Sequence, residues 1–461
     1  MVNVDIKTLL ENQRNFFNTY TTISVKFRIE ALKRLKNEII KNEDKIKEAL
    51  FLDLGKSGSE SYMCEIGMTL SEISYMLKNI KRLTKIKRVK TPLEQFHSTS
   101  YQVANPYGNV LILSPWNYPF LLSMSPLVTA IAAGNTAILK PSAYAPNTAK
   151  VIKEILDDIF DSSYVHTVLG GREENQNLLK EKFDLIFFTG SSEVGKVVLR
   201  NAAEHLTPCI LELGGKSPVI VDETANIKLA ARRIVFGKIL NSGQTCVAPD
   251  YIYCSKHIKD RLIENIIIEI NKQLGEKPLD NANFPKIINK KHFERIINLI
   301  NKDKVIYGGE YDEESLKISP TVISDVTVDE AIMQEEIFGP LLPIITYENF
   351  SEVIDYLKDK PKPLALYLFT ENKKVKDYIV KNIRYGGGCI NDTIIHLATT
   401  NMGFGGVGES GMGAYHGEIG FKSFSHVKSI VDKKTWLDLI TRYQPYSKNK
   451  DALVKFLLKW F

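Results

Sequence analysis

The stretch NSGQTCVAPDY, residues 241–251, contains a cysteine that could act as a nucleophile. A thiolate attacks carbonyl carbon and can later leave, whereas most buried free cysteines are inert apolar side chains. Cys246 follows the amphipathic segment NIKLAARRIVFGKILNSG, which predicts a helix that ends at Gly243. The thiol would therefore lie on a turn just past a helix, where a side chain can face a cleft.

Two other residues could supply the partners that such a thiol needs. Glu212 ends the apolar strand PCILEL, and a carboxylate in apolar surroundings has the raised pKa that suits a general base. The alternative for Glu212 is a structural role at a helix terminus. Asn117 in PWNYP follows a predicted strand, where its amide could donate to a developing oxyanion or only satisfy its own backbone. A Cys-His hydrolase also stays open, because the eight histidines are distant from Cys246 in sequence but not necessarily in space.

Four glycine-containing motifs are candidates for phosphate sites. GFGGVG (403–408) and the overlapping GVGESG (406–411) fit a dinucleotide fingerprint, but neither has a strand before it and a helix opening on it. GGKS (214–217) lacks the first glycine of a P-loop, because Ile210 stands there, which excludes a kinase or ATPase. FTGSSEVG (188–195) does pass from a strand to a helix, so its helix N-terminus can hold a phosphate.

The elements that must position these residues alternate between strands and helices from residue 105 onward. GNVLILSP, NTAILKPS, FDLIFFTGS and CILELGGKSPVIV each predict one buried strand, with a helical pattern between one and the next. This alternation predicts a doubly wound α/β domain, with ligands at the carboxyl ends of the strands. A second alternating block over about 216–395 predicts another α/β domain, and 403–417 predicts an ordered loop.

The composition narrows the class of protein. A chain of 461 residues predicts two or three domains, and 44% hydrophobic with 25% charged residues is typical of a soluble globular protein. A net charge of +6 without a block of like charge argues against nucleic-acid binding. Five scattered cysteines predict neither disulfides nor a metal site, and the absence of a signal peptide or spanning segment predicts a cytoplasmic protein.

Seven motifs in order carry a resemblance to a known family: N-Y-P, K-P-S, F-T-G-S, E-L-G-G-K, G-Q-x-C, E-E-I-F-G-P and F-G-G-V-G-x-S-G-M-G. Over almost its whole length the chain resembles the aldehyde dehydrogenase superfamily, and Tyr118 with GVGESGMGAYHG…FKSFSH most resembles the class 3, or fatty aldehyde, branch. The resemblance implies two doubly wound α/β domains plus a small oligomerisation extension. The corresponding division is a cofactor-binding domain at 1–83 and 105–210, a catalytic domain at 211–395, a bridging and oligomerisation segment at 84–104 and 396–440, and a C-terminal tail at 441–461.

The resemblance also implies a catalytic cycle. Cys246 would attack a medium- or long-chain aliphatic or aromatic aldehyde to give a thiohemiacetal, whose oxyanion the Asn117 amide and the Cys246 backbone N–H would hold. Loss of hydride to the nicotinamide ring would leave a thioester, and Glu212 would activate the water that releases a carboxylic acid. No metal takes part.

For the cofactor, which is NAD or NADP, the resemblance implies contacts to the adenosine ribose, the pyrophosphate and the nicotinamide riboside. The matching positions are Lys140, Thr189, Gly190, Ser191, Val194, Glu336 and Phe338.

The chain departs from the family pattern at two positions. Ala143 stands where the family commonly has Glu after K-P-S. The absence of that carboxylate removes repulsion against a 2′-phosphate, so NADP is plausible beside NAD, which is slightly favoured. Gly403 stands where Pro usually precedes F-G-G, which changes the stiffness of the loop near the substrate entrance. Asn391 in CIND matches a family position near the active site.

The sequence also bears on the protein's partners and on two rival functions. A homodimer is expected by resemblance, and the amphipathic tail 451–461, with Lys455 and Lys459 on one face, would pack on a partner subunit or lie on a membrane surface. An acyl-CoA-forming aldehyde dehydrogenase normally lacks the base, so Glu212 argues against it. A catalytically inactive binding or structural member would have lost Cys246, Asn117 or Glu212.

Overall fold

The computed structural model describes residues 5–438 and 440–459, excluding the side chains of 441 and 457. Its α-helices are, in chain order, α1 (Ile6–Phe17), α2 (Val25–Lys41), α3 (Glu43–Leu54), α4 (Gly58–Ser61), α5 (Gly67–Leu83), α6 (Leu121–Ala133), α7 (Pro146–Ile159), α8 (Arg172–Lys180), α9 (Ser192–Ala203), α10 (Ile227–Ile239), α11 (Lys259–Leu274), α12 (Lys290–Ile297), α13 (Ala331–Gln334), α14 (Phe350–Asp359), α15 (Lys373–Asn382), α16 (Gly417–Ser423) and α17 (Lys448–Lys459).

The strands are β1 (Lys87–Val89), β2 (Ser98–Pro106), β3 (Asn109–Leu113), β4 (Thr136–Lys140), β5 (Val165–Thr167), β6 (Leu185–Thr189), β7 (Cys209–Glu212), β8 (Pro218–Val221), β9 (Tyr251–Ser255), β10 (Val305–Tyr307), β11 (Tyr311–Asp312), β12 (Lys317–Ile318), β13 (Thr321–Ile323), β14 (Leu341–Tyr347), β15 (Ala365–Phe369), β16 (Gly387–Ile390), β17 (Gly411–Met412) and β18 (Ser425–Lys433).

A six-stranded sheet holds the first α/β unit, in the order β17-β7-β6-β3-β4-β5. Its strands are parallel except for β17, which pairs antiparallel with β7 at the edge. Strands β3, β4 and β6 are buried along their whole length because helices cover both faces, which explains their continuous apolar runs. As predicted, α6 ends at Gly134, whose φ of 97° is the left-handed conformation that glycine tolerates.

A seven-stranded sheet forms the second α/β unit, in the order β10-β13-β14-β9-β8-β15-β16. Only its edge strand β10 runs antiparallel among the strands that the structure describes. Apolar cores lie on both faces of this sheet. Two helix-covered parallel sheets confirm the doubly wound α/β fold predicted from the strand and helix alternation.

The prediction of one strand over CILELGGKSPVIV is wrong. Strand β7 ends at Glu212 in the six-stranded sheet, and β8 begins at Pro218 in the seven-stranded sheet. The chain therefore crosses between the sheets over 213–217, a few residues after the expected domain boundary at 210/211. Gly214 allows the crossing to pass the second unit closely, because a Cβ there would lie 2.1 Å from Glu336 Oε2. Glu212 thus stands at the junction of the two sheets.

Two further local predictions need correction. Residues 403–417 are not loop throughout, because β17 pairs with β7 in a register that sets Gly411 opposite Glu212. Helix α10 ends at Ile239 rather than at Gly243, because Asn241 and Ser242 adopt φ values of 50° that no α-helix accommodates.

A small antiparallel sheet, β1-β2-β18, is built from parts of the predicted bridging segments 84–104 and 396–440. Within the predicted tail 441–461, α17 covers Lys448–Lys459, while Trp460 and Phe461 lie outside the described residues. Among the helices that the structure describes, none combines the length and the apolar character needed to cross a bilayer.

Candidate active site

Cys246 lies in the wall of a cavity that is lined mainly by apolar side chains. The turn before it is fixed by the side chain of Gln244, which donates to the carbonyls of Asn241 and Lys286 and accepts from the Ile288 N–H. The cavity is lined by Cys64, Met68, Tyr118, Leu121, Leu122, Leu240, Thr245, Cys246, Val247, Ile394, Leu397, Phe404, Tyr415 and His416. The structure therefore places the predicted nucleophile where an apolar substrate can reach it.

The surroundings of Cys246 favour the neutral thiol. Burial raises the pKa of the thiol, and the carboxylates of Glu336 and Glu212 raise it further, whereas the backbone N–H groups of Cys246 and Val247 lower it. The thiolate is the reactive form, so the nucleophile acts once the thiol has lost its proton.

Glu212 is the carboxylate that the site offers as a general base. Its side chain is 2% exposed, and neither carboxylate oxygen has a hydrogen-bond partner among the described residues. Burial alone raises the pKa of Glu212 well above its ordinary value. A buried carboxyl without hydrogen-bond partners among the described residues can accept a proton, and the Glu212 carboxylate is one of the charged groups that raise the pKa of Cys246.

Asn117 is held against the turn that carries the cysteine. Its side-chain Nδ2 donates to the carbonyl of Gln244 at 3.0 Å, and its own carbonyl accepts from Asn241 Nδ2 at 2.7 Å. One N–H of the amide is thereby used, and the second stays available to an oxyanion. The structure thus brings Cys246, Glu212 and Asn117 together from three segments distant in sequence.

Several residues around the site were missed by the sequence reasoning. The Tyr118 hydroxyl bonds to Thr245 Oγ1 at 2.8 Å, linking the Asn117 and Cys246 turns a second time. Tyr415 lines the cavity, and the carboxylate of Glu212 and the thiol of Cys246 add to burial in raising the pKa of its phenol. These residues lie in the motifs that carry the family resemblance, but their contacts with one another appear only in the folded chain.

The predicted phosphate site is a strand-to-helix turn at the end of β6. Thr189 closes the strand, Gly190 makes the turn, and Ser191 caps α9 by accepting from the N–H of Val194 at 3.4 Å. The Thr189 hydroxyl is buried without a partner among the described residues. The Val194 side chain is 45% exposed, so an apolar surface stands free beside the helix N-terminus for a flat ring to cover.

Lys140 ends β4 and is nearly buried. Its Nζ donates to the carbonyls of Pro141 at 2.8 Å and Gly170 at 2.7 Å. Burial lowers the pKa of Lys140 to about 8, which the carboxylate of Glu174 partly offsets. The ammonium retains a third N–H for a ligand hydroxyl.

Glu336 and Phe338 approach from the second sheet. The Oε1 of Glu336 is buried without a partner among the described residues, and Oε2 lies over Gly214. Burial and the nearby Asp250 raise the pKa of Glu336 to about 8. Phe338 adopts a φ of 52° and meets Trp116 edge-on at 5.4 Å between ring centroids.

The remaining predicted positions have local roles. Asn391 has a φ of 57° and holds the turn after β16, its Oδ1 accepting from the Thr370 N–H at 2.8 Å. Ala143 is exposed. A Cβ on Gly403 would lie 2.7 Å from the Ile419 side chain, so the glycine gives room to a neighbouring helix.

The structure also tests the Cys-His alternative. His416 reaches the cavity wall, but its Nδ1 lies 3.2 Å from Glu72 Oε2. His396 instead contacts Cys389, with Nδ1 3.6 Å from Sγ. Among the described residues no imidazole is hydrogen-bonded to Cys246, so the geometry does not favour a Cys-His pair.

Comparison with known proteins agrees with this geometry. A sequence profile of the aldehyde dehydrogenase family matches residues 2–430. The chain is 48% identical to 4,4'-diaponeurosporen-aldehyde dehydrogenase of Staphylococcus aureus, covering 97% of this chain and 98% of that one. It is 43% identical to aldehyde dehydrogenase family 3 member H1 of Arabidopsis thaliana, covering 98% and 95%. The structure superposes on the substrate-bound state of Staphylococcus aureus AldH with a TM-score of 0.96, at 47% identity and with 98% and 99% of the two chains covered.

The chain belongs to the aldehyde dehydrogenase family. Its relatives place it in the class 3 branch, which confirms the resemblance read from the motifs. It is therefore an oxidoreductase that acts on the aldehyde group, and enzymes of this family use NAD or NADP.

Proposed function

We propose that this enzyme oxidises long-chain, apolar aldehydes to carboxylic acids with NAD or NADP, through a thiohemiacetal and a thioester on Cys246. The observation that carries the proposal is the apolar cavity in which Cys246 lies, beside Glu212 and Asn117. Aromatic aldehydes are the alternative substrates, since they are apolar but shorter.

The shape of the cavity supports a long substrate. Four residues of its wall, Met68, Leu121, Leu397 and His416, also line a second cavity that extends toward Met63 and Thr400. We propose that the substrate chain runs from the first cavity into the second, whose wall also includes Ser71, Glu72, Thr399 and Thr400. Along the apolar residues of this channel an alkyl or polyene chain loses contact with water. The relative from Staphylococcus aureus is named for a diaponeurosporen-aldehyde, which fits an elongated apolar substrate.

In the proposed cycle each residue has one task. The thiolate of Cys246 attacks the aldehyde carbon, so the S–C bond forms as the carbonyl electrons move to oxygen. The second N–H of the Asn117 amide and the Cys246 backbone N–H donate to that oxyanion. In the second half Glu212 takes a proton from water, whose oxygen attacks the thioester, and the Cys246 thiolate leaves with the C–S bonding pair.

The residues present fit a nicotinamide dinucleotide. Ser191 and the free first turn of α9 suit its pyrophosphate, Lys140 suits the adenosine ribose, and the orphaned Oε1 of Glu336 suits the nicotinamide ribose. When bound there, the dinucleotide supplies the hydride acceptor that the oxidation needs. Ala143 leaves room for a 2′-phosphate, so we propose that NADP is accepted beside NAD, with NAD slightly favoured.

For the assembly we propose a cytoplasmic homodimer. In its support, β18 pairs with β2 along one side only, and Val427 and Val431 are 39% and 51% exposed. An open edge strand with exposed apolar residues is a surface that a second copy can cover. The amphipathic helix α17, with exposed Leu453 and Phe456, would pack on the partner or contact a membrane surface.

The test follows the absorbance of reduced cofactor with purified enzyme, using saturated aldehydes from short to long chain, an aromatic aldehyde, and both NAD and NADP. The proposal expects kcat/KM to rise with chain length and both cofactors to be reduced. Equal kcat/KM for acetaldehyde and a long-chain aldehyde would contradict the assigned substrate class. Light scattering at two protein concentrations measures the dimer separately.

A further inference from the structure

A fully buried ion pair lies beneath the Asn117 turn. Lys56 Nζ and Glu65 Oε1 are 2.6 Å apart, and both side chains are 0% exposed. Lys56 follows α3, and Glu65 belongs to a π-helical turn over Tyr62–Ile66 that joins α4 to α5. Such π-helical turns are frequent at functional sites.

Each member of the pair contacts the turn that carries Asn117. Lys56 Nζ donates to the Asn117 carbonyl at 2.9 Å and lies 3.9 Å from the centroid of the Tyr118 ring. Glu65 Oε2 accepts from the backbone N–H groups of Phe120 and Leu121, at 2.8 and 3.1 Å, where α6 begins. The cation thus holds the start of the turn, and the carboxylate holds its end.

A second group of contacts holds the turn from the cysteine side. Asn241 donates to the same Asn117 carbonyl, and its backbone N–H is bound by Glu60 Oε1 at 2.8 Å. The Asn117 amide donates to Gln244. Asn117 is therefore fixed at its carbonyl by two donors and at its side chain by one acceptor.

An ion pair without solvent is an expensive way to gain stability, because taking two charges out of water offsets much of their attraction. A pair of apolar side chains would fill the same space, but it could not donate to the Asn117 carbonyl and accept from two N–H groups. The arrangement is thus better explained by the geometry that it imposes than by stability.

We propose that Lys56 and Glu65 are positioning residues that keep the Asn117 amide aimed at the carbonyl oxygen above Cys246. The inference rests on the proposed function, in which Asn117 stabilises the oxyanion. Neither residue touches the substrate; both act through the backbone of the turn.

The experiment removes both charges together, so that no unpaired charge stays buried. The variant Lys56→Met/Glu65→Gln is compared with Arg28→Met, which removes another buried cation of the same unit. Arg28 binds the carbonyls of Thr22 and Ala132 and has no contact with the Asn117 turn. Equal melting temperatures of the two variants would make their rates directly comparable.

Two acylation rates are measured for each variant: the pre-steady-state burst with aldehyde and NAD, and the release of phenolate from an activated phenyl ester. The ester reaction also forms a tetrahedral oxyanion on Cys246, which collapses by expelling phenolate without a cofactor, so it reports on positioning independently of the redox step. Alkylation of Cys246 by iodoacetamide, which forms no oxyanion, is the control for a general disturbance of the site.

We expect Lys56→Met/Glu65→Gln to slow both acylation reactions by about 10- to 100-fold, as loss of orientation at a reacting centre does. Alkylation should stay within about threefold of wild type, and Arg28→Met should leave all three rates similar. Asn117→Ala should cost about 10²- to 10³-fold, and adding the pair variant to it should cost no more than about threefold further.

Multiplicative losses in the combined variant would overturn the inference, as would equal losses in the Arg28→Met control. A wild type that acylates with the ester but oxidises no aldehyde would refute the proposed function alone, and the ester rates would still decide the positioning role. A wild type inert toward both substrates would refute both proposals.

Discussion

Glu212→Gln should separate the two halves of the reaction. The substitution replaces a buried carboxyl by an amide of the same shape, at a position where neither oxygen makes a hydrogen bond within the described chain. The amide cannot take a proton from water, so deacylation loses its general base, which is worth about 10²- to 10⁴-fold. The carboxylate also raises the pKa of Cys246, so its removal lowers that pKa and favours the thiolate.

The assay is rapid mixing of the variant with a saturating long-chain aldehyde and NAD, observed by the absorbance of reduced cofactor. We expect a burst that approaches one equivalent per active site, followed by a steady state slower by about 10²- to 10⁴-fold than wild type. Alkylation of Cys246 by iodoacetamide near neutral pH should be at least as fast as in wild type. A variant without a burst, or with an unchanged steady state, would refute the assignment of Glu212 to deacylation.

Three other predictions follow from the described contacts. Burial raises the pKa of Glu212 well above 4.5, so above that pH the native state holds a proton that the unfolded chain loses, and the stability of the wild type falls as pH rises. The melting temperature of Glu212→Gln minus that of wild type should therefore increase between about pH 5 and pH 8. A difference that stays constant with pH would contradict the raised pKa. Ala143→Glu should lower the ratio of kcat/KM for NADP to kcat/KM for NAD by about tenfold, because the new carboxylate repels the 2′-phosphate. Tyr144→Glu, at the exposed neighbouring position, should change this ratio less. The same ratio in the two variants would refute the proximity of residue 143 to the 2′ position. Leu397→Trp should block the junction of the two cavities. The kcat/KM for a long-chain aldehyde should therefore fall by at least about tenfold, while kcat/KM for acetaldehyde stays unchanged. Equal losses of kcat/KM for the two aldehydes would contradict the channel.

Much of the fold could be predicted because local patterns were consistent with tertiary packing. The apolar runs of β3, β4 and β6 are continuous because both faces of their sheet are covered, and Gly134 ends α6 by adopting a conformation that other residues avoid. The positions of Glu212 at a strand end and of Cys246 after a helix also followed from such patterns.

Other features depend on contacts that no local pattern contains. The run CILELGGKSPVIV is apolar on both sides of its glycines, and only the pairing of each half shows that β7 and β8 belong to different sheets. Helix α10 ends early because two residues that are not glycine adopt positive φ before Cys246. Lys56 and Glu65 resemble ordinary surface charges in the sequence, and their burial arises from packing against a turn about 60 residues further along.

The central claim is that Cys246 is the nucleophile of an NAD(P)-dependent aldehyde oxidation, and the direct test compares wild type with Cys246→Ala. A long-chain aldehyde is added to each protein with NAD and with NADP, and both the reduced cofactor and the carboxylic acid are quantified. The account predicts equimolar acid and reduced cofactor with wild type and neither with the variant, which should keep the melting temperature of wild type within a few degrees. Reduced cofactor produced by Cys246→Ala at a rate close to wild type would contradict the account.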